Sequence, residues 1–472
     1  MRTTIWVVLT IAIAAAISGC SVFRAGHVAS GFTSRVLCTE TFVSQLDPDR
    51  VFAERVKPNL GSAAWLADYK VDKAKRTVIA SLAGGFAAQS IYRDEMGCLL
   101  VRGDAPTEST DPRDVSPAVD PLLAPIAGAG IVECKDPAIC AALDRIFQEP
   151  PKPAQRFTRA VVVVHDGRII AERYAPGVGI DTPLLSFSVA KSVMNALVGI
   201  LVRQGRLAVD QPAPLPAWRD PADPRHAITI EHLLRQTSGL ALTQTNSGFD
   251  PATRMSYIEP DPAAFAQSAA LEAKPGTRWA YTDGNYVLLS RIVRDAVGGH
   301  ASDVIRFAQR ELFQPLGMRN VTIEFDATGT PIGSASMLAS ARDWARFGLL
   351  YLNDGVVGAK RILPAGWVRY STSPTLDTGY SAGFFLNVVN GHVPGWGATP
   401  WGMTALPRDT FFARGYMQQS IVIVPSERLV VARFSASYDP PDVASTERMI
   451  ADIIDALRRK RASTSHQAQS AR

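Results

Sequence analysis

Ser188 and Lys191 lie three residues apart in the run Leu185-Ser186-Phe187-Ser188-Val189-Ala190-Lys191-Ser192-Val193. Apolar residues at Val189, Val193, Met194, Leu197, Val198 and Leu201 continue with helical spacing to Gly205, so the spacing predicts a helix that Ser188 opens. Three-residue spacing sets the hydroxyl and the amine on one face of its first turn. The unpaired backbone N–H groups and positive dipole end of that turn favour an attacking oxygen and a developing oxyanion. A lysine beside a serine acts as a base only where burial or neighbouring positive charge lowers its pKa from about 10.4. Ser-x-x-Lys alone also describes a helix cap followed by a solvated lysine, so the surrounding sequence has to decide.

Several further blocks follow in order. They are Ile228-Thr229-Ile230-Glu231-His232-Leu233-Leu234-Arg235-Gln236-Thr237-Ser238-Gly239-Leu240, then Lys274-Pro275-Gly276-Thr277-Arg278-Trp279-Ala280-Tyr281-Thr282-Asp283-Gly284-Asn285-Tyr286. Pro315-Leu316-Gly317-Met318 and Ala341-Arg342-Asp343-Trp344-Ala345-Arg346-Phe347-Gly348 complete the set. With the Ser-x-x-Lys block, they resemble the β-lactamase-related serine hydrolases: class C β-lactamases, D-alanyl-D-alanine carboxypeptidases, family esterases and nylon-oligomer hydrolases. The resemblance runs from about Pro137 to Leu457. It implies a mixed α/β fold with an antiparallel sheet, a helical lobe and an active site between them. It also implies that Ser188 is acylated, that Lys191 is the base, and that Tyr281, matching the tyrosine of the Tyr-x-Asn motif, relays a proton to the leaving group.

Two departures bear on substrate. The motif's asparagine is Asp283, an acceptor where the amide also donates, and Asn285 is the candidate to supply the lost donor. The third motif, Lys-Thr-Gly or His-x-Gly on the strand that walls the site, is matched by Phe412-Ala413-Arg414-Gly415-Tyr416-Met417-Gln418-Gln419. Tyr416 cannot hold a substrate carboxylate as a cation does. Arg414 can, provided that strand alternation leaves it on the same face. The backbone near Gln418 remains a candidate to complete an oxyanion hole with Ser188. An ester or amide of low acidity therefore suits this site better than a β-lactam or a peptide C-terminus.

A competing pattern, Gly379-Tyr380-Ser381-Ala382-Gly383, matches the nucleophile elbow, but it lacks the strand before and the helix after that the elbow needs. The seven histidines show no triad spacing; His165 falls at a hairpin tip and His232 in a helix. Trp396, Trp401 and Tyr380 are candidates to line an apolar pocket or to pack in a core. Neither Cys-x-x-Cys nor His-Glu-x-x-His occurs, so no metal or other cofactor is expected.

The elements that must position these groups are read from periodicity. Arg159 to Tyr174 predicts an antiparallel pair joined at Asp166-Gly167. Phe411 to Ala413, Ser420 to Val424 and Leu429 to Phe434 predict further strands, and Met449, Ile450, Ile453, Ile454 and Leu457 fall on one face of a closing helix. Helices are also expected over Pro137 to Gln148, Thr229 to Gln236, Tyr286 to Ala296 and Ala341 to Leu352. The simplest arrangement is an α/β (α+β) fold, with an antiparallel sheet from strands of both chain ends, flanked by helices, and a helical lobe inserted between them.

At 472 residues, with 47% hydrophobic and 20% charged, the chain is globular and long enough for two or three lobes. A net charge of +5 without an aromatic-and-basic run gives no support to nucleic-acid binding, and Arg458-Arg459-Lys460-Arg461 reads as a solvated helix end. Arg2 precedes an apolar run from Ile5 to Ile17, too short to span a bilayer but suited to a signal peptide. The run ends Ile17-Ser18-Gly19-Cys20, which resembles the bacterial lipobox and implies lipidation of Cys20 and a membrane anchor facing the periplasm. Cys38, Cys98, Cys134 and Cys140 allow three disulfide pairings; the sequence-local one, Cys38 with Cys98 and Cys134 with Cys140, would contribute about 4 and roughly 2 to 3 kcal/mol. The expected organisation is a signal peptide over 1–19, a small N-terminal region over 20–103, a Pro/Asp-rich linker over 104–130, the hydrolase body over 131–461 and a flexible tail over 462–472. The function expected is Ser188-dependent hydrolysis of a small ester, amide or peptide-like substrate. The competing reading is a non-catalytic envelope sensor or scaffold that keeps the penicillin-binding shape.

Overall fold

The computed structural model describes residues 23–103, 120–388, 402–439 and 442–470. Cys20, the signal segment, most of the proline-rich linker, Trp396 and Trp401 lie outside the described residues.

In chain order, helix α1 (23–38) leads through a run of short helical segments to a four-stranded antiparallel meander, β1 (Ala67–Asp72), β2 (Thr77–Leu82), β3 (Gly85–Arg93) and β4 (Gly97–Leu100). Helix α2 (Pro137–Phe147) begins where Asp136 accepts from the backbone N–H of Ala138 and Ile139, with proline at the first position. The hairpin β5 (Ala160–His165) and β6 (Arg168–Tyr174) turns at Asp166-Gly167, both at positive φ as that dipeptide permits. The short strand β7 (Leu184–Leu185) precedes a 3-10 turn at Phe187–Val189 and helix α3 (Ala190–Arg203). The lobe continues with α4 (Ile230–Leu234) and α5 (Asp283–Val297), strands β8 (Thr322–Ile323) and β9 (Met337–Ala339), and α6 (Ala341–Leu352). The chain returns to the main sheet as β10 (Phe385–Leu386), β11 (Phe411–Gly415), β12 (Gln419–Val424) and β13 (Leu429–Phe434), and closes with α7 (Asp442–Ser470).

The main sheet runs β10-β11-β12-β13-β5-β6, antiparallel throughout, so strands from both sides of the lobe meet at the β13–β5 pair. Every residue of β12 and β13 is buried because both faces are covered. Alternation sends Val161, Val163, Val422 and Val431 into one core with Ile139, Leu143, Ile450 and Ile453 of α2 and α7. Their neighbours Val162, Val164, Ile421 and Val430 enter the other core, with Leu197 of α3 and Phe347 of α6.

Three boundaries differ from expectation. Phe32, Val36, Leu37, Val51, Val56 and Met96 share the core that holds α3 and α6, so the described part of the N-terminal region, 23–103, does not pack as a unit set apart. The structure pairs Cys38 with Cys98 and Cys134 with Cys140, the first bond tying the end of α1 to β4. The described part of the expected linker is held to the body: Leu122 and Leu123 donate to the Pro315 carbonyl, Ile126 is buried, and Arg342 donates to the carbonyls of Gly128 and Gly130. The expected flexible tail continues α7 as far as Ser470, which fits a segment free of glycine and proline.

Candidate active site

Ser188 lies in the 3-10 turn, one element earlier than the expected helix start, and Lys191 lies in the first turn of α3. Lys191 is buried, and its Nζ donates to Ser188 Oγ at 3.0 Å and to the Ser334 carbonyl at 2.7 Å, and it pairs with Asp283. Nζ thus faces three oxygen acceptors. The Tyr281 ring lies 4.9 Å from Nζ, and the Tyr281 hydroxyl hydrogen bonds with Ser188. Burial first, and then the Asp283 charge, raise the Tyr281 pKa well above that of a free phenol, against the opposing effect of the Ser188 bond. Tyr281 therefore stays a protonated donor at neutral pH.

Tyr281 is fixed from behind by Tyr380 and Trp279, whose ring centroids lie 5.9 and 6.3 Å away. Tyr380 is thus a member of the aromatic core, 1% exposed, and not a pocket wall. Asp283, at the first position of α5, accepts from Gln244 Nε2 at 3.2 Å, while its backbone N–H donates to Gln244 Oε1 at 2.6 Å. Gln244 was not singled out in the sequence, where nothing in Leu242 to Asp250 marks it. Asn285 does not replace the motif's donor: it is buried, and its amide donates to Gln236 Oε1 at 2.6 Å.

The wall strand also differs from expectation. Ala413 faces the core of the helical lobe, so alternation turns Arg414 to the other side, where burial, helped by the Arg433 charge and opposed by Asp442, lowers its pKa to about 10. Its Nη2 donates to Gln418 Oε1 at 2.7 Å. Arg414 is therefore not placed to meet a substrate carboxylate on the Ser188 face. The strand lies against the nucleophile's turn at Gly415, where an added Cβ would stand 3.2 Å from the Ser188 N and 2.2 Å from the Ser186 carbonyl oxygen. The backbone candidate for an oxyanion hole thus moves from Gln418 to the Gly415–Tyr416 junction. Tyr416 stays at the mouth, its ring edge-on to Phe187 at 5.7 Å and its hydroxyl donating to Asn59 Oδ1 at 2.5 Å.

A cavity of about 70 Å³ adjoins these groups, and its walls include Arg35 and Thr39 from the N-terminal region, Gln244, Tyr257, Asp283 and Ser334. Arg35 bonds with Ser336 and pairs with Glu324 at 3.5 Å. The N-terminal contribution carries no motif and was not legible in sequence.

The other candidates have structural roles. Ser381 is buried and donates to the Ser373 carbonyl at 2.6 Å, and His232 caps α4 by accepting from the Thr229 N–H at 3.1 Å. His165 lies at the hairpin tip beside Asp166. Among the described residues no group of histidine, cysteine and carboxylate side chains is arranged to hold a metal.

An antiparallel sheet joined from both chain ends, with a Ser-x-x-Lys helix under its edge and a Tyr281 loop opposite, defines the β-lactamase/transpeptidase-like class. The family model described as Beta-lactamase matches residues 143–454, and the chain belongs to that family. A 6-aminohexanoate-dimer hydrolase of Paenarthrobacter ureafaciens is 24% identical over 335 residues, 66% of this chain and 82% of the relative. Among solved structures, a penicillin-binding protein homologue from Caulobacter crescentus aligns with a TM-score of 0.50 at 19% identity, over 71% of this chain and 100% of that one. A family VIII carboxylesterase aligns with a TM-score of 0.50 at 16% identity, over the same shares. Both likenesses concern the fold.

Proposed function

We propose that the protein is a serine hydrolase that cleaves an ester or amide through an acyl-enzyme on Ser188. The observation that carries this reading is Lys191 Nζ at 3.0 Å from Ser188 Oγ, with Tyr281 bonded to the same hydroxyl. Lys191 Nζ accepts the proton that Ser188 loses as Oγ bonds to the carbonyl carbon, and returns it to Oγ when water releases the acyl group. The oxyanion meets the Ser188 N–H, unpaired at the start of its turn, and the strand backbone beside Gly415. Tyr281 gives its proton to the leaving alcohol or amine and recovers one from the water that releases the acyl group.

The turned-away Arg414 supports substrates without a carboxylate beside the scissile bond. The 6-aminohexanoate-dimer hydrolase and the carboxylesterase among the similar proteins agree with a hydrolase of this kind. We also propose that Cys20 is lipidated and anchors the chain at a membrane facing the periplasm; among the described residues no helix is long and apolar enough to cross one.

The test is labelling with a fluorophosphonate and turnover of a chromogenic short-chain ester, wild type against Ser188→Ala. Label on Ser188 and ester turnover that vanishes in the variant are expected. An unlabelled Ser188 with nothing depending on it would leave the binding-protein reading in its place.

A further inference from the structure

Exposed aromatic residues gather where α1 begins. Phe23 is 59% exposed, Phe249 53% and Trp65 81%, although large apolar side chains are ordinarily covered. Phe86 joins them, its ring 5.4 Å from Phe23 and 5.5 Å from His27. Phe249 follows Gly248, whose added Cβ would stand 3.7 Å from that of Ala25, one turn into α1. Trp65 precedes Leu66, whose carbonyl accepts from Ala83, and Ala83-Gly84-Gly85 is the exposed β2–β3 turn that leads into Phe86. Three separate segments thus present aromatic rings around one helix end.

Only Ser21 and Val22 separate Cys20 from Phe23. The three residue steps from Cys20 to Phe23 span at most about 11 Å, so whatever holds Cys20 lies close to this end of the fold. We infer that this aromatic face, Phe23, Trp65, Phe86 and Phe249, rests in the interfacial layer of the bilayer that holds the anchor. The inference rests on the reading of Cys20 as the anchored residue. Tryptophan and phenylalanine suit that layer because their rings are apolar while the surroundings are half wet. Arg24, next to Phe23, brings a cation to the level of lipid phosphates. A second contact beside a lipidated residue fixes the orientation of the body, which an anchor alone does not.

The test uses the full chain in phospholipid vesicles with and without bromine on the acyl carbons nearest the headgroup. The emission of Trp65 is isolated as the difference between wild type and Trp65→Phe. We expect brominated lipid to quench that difference at least about twofold, and Phe249→Trp in the Trp65→Phe background to restore a quenched signal. A difference signal equally bright in both vesicles overturns the inference, and so does a chain that fails to sediment with vesicles. The mass of the N-terminal peptide from the same preparation separates the two readings. Lipidated Cys20 with unquenched Trp65 removes the face and keeps the anchor; unmodified Cys20 with quenched Trp65 removes the anchor and keeps the face.

Discussion

Gly415→Ala should disable the site while leaving the fold in place. The backbone of Gly415 is extended, with φ −127°, so alanine meets no dihedral penalty and the effect is steric. Its Cβ would stand 2.2 Å from the Ser186 carbonyl oxygen, where ordinary contact begins at 3.4 Å. Either β11 or the Ser186–Ser188 backbone must therefore shift by about 1 Å, and a misplacement of that size costs on the order of 10²-fold in rate. That equals about 2.7 kcal/mol at the transition state. The assay is the second-order rate of fluorophosphonate labelling of Ser188, with the thermal transition of the same samples as the check on folding. Gly128→Ala is the control, since no atom lies within 4 Å of its added Cβ. A Gly415→Ala protein that labels within threefold of wild type would refute the placement of β11 against the nucleophile.

Lys191→Met should abolish labelling and, by leaving the Asp283 carboxylate without its cation, cost about 3 to 5 kcal/mol in urea unfolding. Adding Asp283→Asn should recover part of that stability and none of the labelling; recovery of labelling would remove Lys191 from the chemistry. Burial raises the Asp326 pKa from 3.8 to about 6, against its bonds from Thr328 and Thr330. Because the folded state holds that proton more tightly than the unfolded chain, its stabilising effect is complete below about pH 4 and is lost as pH rises through 6, about 3 kcal/mol in all. Asp326→Asn should therefore gain on wild type between pH 4 and pH 7, and parallel stability curves would contradict the assignment. Replacing Cys38 and Cys98 by serine opens a bond spanning 60 residues and should lower stability by about 4 kcal/mol. An unchanged unfolding midpoint would mean that the pair is not joined.

The main sheet was legible because its signals are local. Asp166-Gly167 fixes a hairpin by its backbone tolerance, and the valine-rich strands announce themselves by branching. Ser188, Lys191 and Tyr281 were legible through short motifs carried by a family resemblance, and the structure brings all three together. The facing of Arg414 was not, because β11 is covered on both sides. Phe412 and Ala413 are both buried, so apolar character on alternate positions does not say which face holds the site. The partners of Lys191 and Asp283 beyond the motif, the Ser334 carbonyl and Gln244, are brought in by distant turns with no periodicity to read. The fate of Asn285 depended on Gln236, a neighbour in space and not in sequence.

The N-terminal region carries no chemical motif, yet it bears on the wall that lost the family's cation. Arg55 is fully buried, paired with Glu40 at 2.7 Å, while Arg159 holds the other oxygen of Glu40 at 2.6 Å. From there Arg55 Nη1 reaches Met417 Sδ at 3.3 Å, its guanidinium lies 5.5 Å from the Phe187 ring, and its carbonyl accepts from Tyr438. Met417 and Gln418 both adopt positive φ, 58° and 65°, a conformation that costs a side-chain-bearing residue of order 1 kcal/mol or more and persists where surrounding contacts over-determine it. Arg55, with Asn59 on Tyr416, provides such contacts for the turn that follows Gly415. This chain places an arginine behind the turn, paired with Glu40. Its positive charge is engaged in shaping the wall beside Gly415.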